Sequence, residues 1–139
     1  MSDRALVIVP TFNERENIER LIERVLEQDE RLEMLIVDDG SPDGTGALVD
    51  DIVAANPRVH VLHRPKKMGL GTAYLAGFKW ALERDYAYVL EMDADFSHDP
   101  IHLPQFLAAV ENSDLVVGSR YLQGRVTVVN WPIARLILS

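Results

Sequence analysis

"ALVIVP", residues Ala5 to Pro10, is an unbroken apolar run rich in β-branched side chains. A strand with one wet face alternates apolar and polar residues, whereas a strand covered on both faces does not. The run therefore predicts a strand inside a sheet with helices on both sides. The next stretch agrees, because Ile18, Leu21, Ile22, Val25 and Leu26 recur at helical spacing among Glu and Arg. Asn13 and Glu16 are placed to cap that helix. Further on, "LEMLIVDD" (Leu32 to Asp39) predicts a second strand, and "GSPDG" supplies the residues that turns require. A helix from about Thr45 to Ala55, the strand "VHVLH", a helix from about Gly71 to Arg84 and the strand "YAYVLEM" follow. A helix from about Pro100 to Glu111 and the strand "DLVVGS" complete the series. Such alternation predicts an α/β fold with a mainly parallel sheet flanked by helices. With no repeat, linker or low-complexity tract, residues 1–139 are expected to form a single domain.

The chain has 139 residues, 47% of them apolar, which suits one hydrophobic core. Its net charge of −8 excludes a nucleic-acid backbone binder, since no basic stripe is present. A protein this acidic needs a metal ion or a few well-placed arginines to handle phosphates. It has no cysteine, so disulfides and thiolate metal sites are excluded and a reducing cytoplasm is compatible. The N-terminus lacks the apolar run of a signal peptide, and no segment approaches the roughly 18 apolar residues of a membrane span. The expectation is a soluble chain. "NWPIARLILS", however, stops within an apolar, helix-like pattern. That ending suggests either a natural short form or a missing C-terminal part.

In parallel α/β sheets, ligands sit outside the carboxyl ends of the strands. Pro10 to Glu14, Val37 to Gly40 and Asp93 to Asp95 all fall there, so the sequence brings three polar clusters to one rim. "DADFSHDP" sets Asp93 and Asp95 one residue apart behind an apolar strand. A divalent cation would cancel their repulsion, and hard oxygen ligands suit Mg²⁺ or Mn²⁺. The alternative is a solvated loop with Asp99 capping the next helix. Asp38 and Asp39 either accept hydrogen bonds from a ribose or base edge or belong to an Asx-rich turn. "GSPDGTG" lacks the Gly-Lys-Ser/Thr ending of a P-loop, and no Gly-x-Ser-x-Gly elbow is present. Gly71, Ala73, Ala76 and Gly77 fit a helix that approaches the sheet closely. His98 and His102 are expected on a solvent-facing helix surface, and His60 and His63 in a strand. "GSRY" puts Arg120 on the rim, where it meets a phosphate or pairs a surface acid.

Taken together, "VPTFNERENI", "LIVDDGSPDGT", "GLGTAYLAGF", "MDADFSHDP" and "VVGSRY" resemble, in order and spacing, the dolichyl- or polyprenyl-phosphate mannosyltransferases of glycosyltransferase family 2. The resemblance implies a glycosyltransferase A-type nucleotide-sugar fold and transfer of mannose from GDP-mannose to a lipid phosphate. Carried over by motif, Pro10, Phe12 and Glu14 hold the base, with Val37 and Asp39 beside it. Phe12 stands where the family often has Tyr. Asp93, Ala94 and Asp95 take the ribose, diphosphate and Mg²⁺ or Mn²⁺, with Ser97 where some members have a metal-ligating Gln. Arg120 bridges donor and acceptor phosphates. Arg135 and Ser139, one turn apart, resemble the acceptor-phosphate pair. Asp95 and Arg120 are the catalytic candidates.

A lipid monophosphate is already anionic at neutral pH, so it attacks the anomeric carbon without a general base. Direct displacement inverts the α-linkage to β. The resemblance further implies peripheral membrane contact at the cytoplasmic face, with a membrane-anchoring partner or a missing C-terminal segment completing the site. Rival readings are transfer of glucose from UDP-glucose, transfer of another sugar to a polyprenyl phosphate, or a catalytically dead nucleotide-binding module.

Overall fold

The computed structural model describes residues 3–110, together with the backbone of residues 115–118 and 126–129. Strands β1 (Ala5–Thr11), β2 (Leu32–Asp38), β3 (Val59–His63) and β4 (Tyr88–Glu91) alternate with helices α1 (Arg15–Leu26), α2 (Thr45–Ala55) and α3 (Leu70–Leu82). A 3-10 turn (Pro100–His102) and α4 (Leu103–Val110) follow, then β5 (Leu115–Gly118) and β6 (Val126–Val129). The chain divides into two compact units, Met1–Pro100 and Ile101–Ser139.

In the first unit, four parallel strands lie in the order β3-β2-β1-β4. β1 is buried except at Pro10, and β2 is buried throughout, as the continuous apolar runs require. Right-handed crossovers fix the layers. The steps from β1 to β2 and from β2 to β3 run in one direction, and the step from β3 back to β4 runs in the other. α1 and α2 therefore cover one face and α3 covers the opposite face. Leu6, Ile8, Leu35 and Val37 pack with Ala73 and Ala81 of α3, with Phe78 and Trp80 at the margin. α1 buries Ile18, Leu21, Ile22 and Val25, the stripe read from its spacing.

Gly77 explains how closely α3 sits, since a Cβ there would lie 2.6 Å from Ile8 Cγ2. Gly71 does not share this role. It is exposed, with nothing within 4 Å of a Cβ.

At the amino end of the sheet, Glu33 is buried on β2 and accepts hydrogen bonds from Arg4 Nη1 (2.9 Å) and the Tyr86 hydroxyl (2.8 Å). His60 Nε2 lies 2.8 Å from Oε1, the oxygen that also takes the Tyr86 bond. Burial pushes the Glu33 carboxyl up, but the bonds from His60, Tyr86 and Arg4 outweigh it and leave the group below its ordinary range. Trp80 continues the cluster between His60 and Tyr86, with the Arg84 guanidinium 3.6 Å from its ring centre.

Two expectations need correction. α1 starts at Arg15 with Glu14 in the cap position, and the Glu14 carbonyl accepts from the backbone of Asn17 and Ile18. Asn13 instead has φ +57° and accepts from the Asp43 N–H, so the Asn13/Glu16 capping pair does not form. The strand from "DLVVGS" does not extend the parallel sheet. β5 pairs antiparallel with β6 in the second unit, where α4 lies against both. Residues 119–125 between them are fewer than the roughly dozen that a parallel crossover needs.

Candidate functional site

The strand order reverses between β1 and β4, where their departing loops diverge and open sheets form their ligand crevice. On the β2 side of β1 lies a cleft of about 200 Å³. Pro10, Phe12, Glu14 and Asp39 line it, and the sequence anticipated all four. Its far wall is Lys67 and Gly69 from the loop between β3 and α3 and Leu70 at the start of α3, to which sequence reasoning gave no site role. Their signal was present: "KK" follows a strand ending on the same rim.

Lys67 Nζ stands 5.0 Å from the centre of the Phe12 ring. The pair offers a flat apolar face and a cation at one mouth. Glu14 is fixed by its backbone N–H, which donates to Thr45 Oγ1 (3.1 Å), and by Asn17 Nδ2, which donates to its carboxylate (3.1 Å). Val37, expected beside the base, is fully buried in the α3-facing core. Its side chain is out of a ligand's reach.

The two acids that end β2 separate cleanly. Asp38 accepts from Thr11 Oγ1 (2.8 Å), Ser41 Oγ (2.6 Å) and the Ser41 backbone N–H (3.2 Å), so it organises the turn. Asp39 faces the cleft and is gripped from behind by Arg64, with Nε–Oδ1 2.6 Å and Nη2–Oδ2 2.7 Å. The hydrogen bonds to Asp39 raise the Arg64 guanidinium further. In the turn, Gly40 has φ +68°, and a Cβ there would lie 2.7 Å from the Pro65 carbonyl oxygen. Asp43 accepts from the Thr45 hydroxyl and backbone and from the Arg15 backbone, contacts that depress its carboxyl. It is a turn and helix-start residue.

The loop after β4 carries Asp93, half-buried, and Asp95, exposed. The Tyr74 hydroxyl donates to Asp93 Oδ1 (3.0 Å). Burial, then the Asp93 charge, pushes the Tyr74 phenol up, so it remains a donor. The Asp93 backbone N–H donates to His98 Nδ1 (3.1 Å), and His98 Nε2 stands 3.8 Å from Asp93 Oδ2. Hydrogen bonds from Ser97 hold the Asp95 carboxyl below the ordinary range, its backbone N–H at 2.9 Å. Ala94 is buried and offers a ligand only its backbone. His98 lies in this loop and His102 in the following 3-10 turn, so they do not share a helix face.

Among the described residues, Asn13 and Phe96 are the non-glycine residues with positive φ, and they sit on the two loops flanking the switch point. Sparsely populated backbone of this kind clusters at ligand sites. Phe96 is steadied by the Arg20 guanidinium, 5.5 Å from its ring centre.

Among the described residues, no group of three or more His, Asp or Glu side chains converges as a closed metal cage. Asp93 and Asp95, two carboxylates on one loop, offer the oxygen donors that a hard cation takes in an open site. Arg120, Arg135 and Ser139 lie outside the described residues.

Comparison with known proteins bears on this arrangement. The family model "Glycosyl transferase family 2" matches residues 6–137. The chain is 55% identical over 140 aligned residues to a polyprenol monophosphomannose synthase of Mycolicibacterium smegmatis, covering 99% of this chain and 52% of that one. It is 50% identical to an undecaprenyl-phosphate mannosyltransferase of Micrococcus luteus, covering 98% and 56%. It thus spans about half the length of these curated relatives. A mannosyltransferase of Pyrobaculum calidifontis, solved with GDP-Man and Mn²⁺, superposes with a TM-score of 0.52 at 30% identity, covering 58% of this chain and 25% of that one. The parallel sheet and its flanking helices are of the glycosyltransferase A type. With the match running from the second residue of β1 almost to the last residue, the chain belongs to glycosyl transferase family 2.

Proposed function

We propose that this chain forms the donor-binding part of an enzyme that transfers mannose from GDP-mannose to a polyprenyl or dolichyl monophosphate, with inversion at the anomeric carbon. The observation that carries the reading is the placement of the cleft and the Asp93–Asp95 loop on opposite sides of β1, at the reversal of strand order. The choice of sugar and lipid is supported by the relatives' names and their 55% and 50% identity.

Pro10, Phe12 and Glu14 hold the base, with Lys67 against the Phe12 face and Asp39 accepting a donor from the nucleoside. Asp93, the Ala94 backbone and Asp95 meet the ribose and diphosphate. Asp93 and Asp95 hold Mg²⁺ or Mn²⁺, which as a Lewis acid neutralises the departing diphosphate. Ser97, already bonded to Asp95, aims that carboxylate and is the third metal-site residue. Arg120 bridges donor and acceptor phosphates, and Arg135 and Ser139 bind the lipid phosphate.

The chain's contribution is positioning and charge neutralisation, because the attacking phosphate oxygen carries its own negative charge. The lipid acceptor calls for peripheral contact at the cytoplasmic membrane face. No helix among the described residues is long and apolar enough to cross a membrane. The single-domain reading of residues 1–139 belongs to the same proposal.

Calorimetric titration with GDP-mannose tests the reading. Binding is expected to be strong with Mn²⁺ or Mg²⁺ and markedly weaker in EDTA, with UDP-glucose a poor substitute. Equal affinity in EDTA refutes the metal role, and preference for UDP-glucose refutes the donor.

A further inference from the structure

We infer that Arg64, which does not line the cleft itself, is a positioning residue that locks Asp39 and the far wall of the nucleotide cleft into one unit. The inference rests on the nucleotide reading above. Three sets of contacts converge on this residue. Its Nε and Nη2 grip the two oxygens of Asp39, and both side chains are almost wholly shielded, 11% and 7% exposed. Its Nη1 donates to Thr72 Oγ1 (3.1 Å) in the first turn of α3, and Nη2 lies 3.5 Å from the Gly69 carbonyl oxygen. Its backbone N–H donates to the Asp38 carbonyl (2.7 Å).

One planar group therefore ties the end of β2 to the start of α3, across the loop that supplies Lys67 and Gly69. Thr72 Oγ1 lies 2.8 Å from both the Met68 and Gly69 carbonyl oxygens, which carries the tie into that loop.

The geometry also limits what Asp39 can do. A carboxylate oxygen has two lone-pair directions, and Arg64 occupies one on each oxygen. Each oxygen keeps one acceptor direction for a ligand N–H or O–H, and its orientation is set by Arg64. Lysine keeps the charge but is a single flexible point, unable to hold two carboxylate oxygens and Thr72 together. Arg64→Lys thus leaves the local charge balanced while freeing both Asp39 and the cleft wall.

The test is a double-mutant cycle read by calorimetry with GDP-mannose and Mn²⁺ on the parent, Arg64→Lys, Asp39→Asn and the double variant, with thermal unfolding recorded for each. Arg64→Lys is expected to weaken binding about tenfold or more. The double variant is expected to lose less affinity than the product of the two single losses, because part of the effect of Arg64 passes through Asp39. A lowered unfolding temperature with parental affinity shows a purely structural tie and overturns the inference. Fully multiplicative losses also overturn it, since Arg64 then acts independently of Asp39.

If Arg64→Lys does not fold, Thr72→Val cuts the same tether at its outer end, and unchanged affinity in that variant is equally fatal. A parent that prefers UDP-glucose defeats the donor reading alone, and the cycle is then read with UDP-glucose. A parent that binds neither nucleotide sugar defeats both.

Discussion

Gly77 faces Ile8 with no room for a side chain. A methyl group there meets Ile8 Cγ2 at 2.6 Å and Cδ1 at 2.9 Å, so either α3 moves away from the sheet or Ile8 leaves its rotamer. Gly77→Ala is expected to lose about 1–3 kcal/mol in urea unfolding, with Ile8→Val in the same chain recovering part of it. At the rim, neighbouring acids divide their labour. Asp39→Ala is expected to weaken GDP-mannose binding and also to lower the unfolding midpoint, because it leaves the shielded Arg64 guanidinium without its partner. Asp43→Ala is expected to leave binding unchanged while costing roughly 0.5–2 kcal/mol of stability through the start of α2. Equal effects on binding would remove Asp39 from the nucleotide site. Asp38 shows why the sequence alone could not divide these acids. It adjoins Asp39 at the end of β2, and only the folded positions of Thr11, Ser41 and Arg64 show which of the two carboxylates faces the cleft.

Among the elements, β1 and β2 were legible because both their faces are covered, which leaves an apolar run that no other environment produces. β5 was legible as a strand but not in its pairing, since a short apolar run does not encode its neighbour. The loop of residues 66–69 received no site role for a related reason: a loop has no periodicity, and its place on the cleft comes from the way β3 and α3 are docked. β2 also carries a pH dependence. The Glu33 carboxyl lies lower in the folded chain than its ordinary value of 4.5. Its contribution is therefore complete above pH 4.5 and disappears as pH falls through the lower folded value. Glu33→Gln is expected to cost about 1.5–3 kcal/mol near neutral pH and to flatten the acid limb of the stability curve. Acid unfolding identical to the parent's would mean that Arg4, Tyr86 and His60 contribute nothing through this group.

For the molecule as a whole, a donor held by loops from several strands links binding to global stability. GDP-mannose with Mn²⁺ at a hundred times its dissociation constant is expected to raise the unfolding free energy by about 2.7 kcal/mol. Asp95→Asn should abolish most of that gain at the same ligand concentration, and an unchanged gain would place the cation elsewhere. The strand order has a further bearing, on manufacture. β1 leaves the ribosome first yet ends up between β2 and β4, and its partner Tyr88–Glu91 is made long after Leu32–Asp38. Throughout the synthesis of β3 and α3, Ala5–Ile8 keeps one row of backbone groups open. Such an edge is a template for a foreign strand. A nascent chain stalled before residue 88 thus presents the apolar β1 as an edge, and the arrival of β4 covers that row.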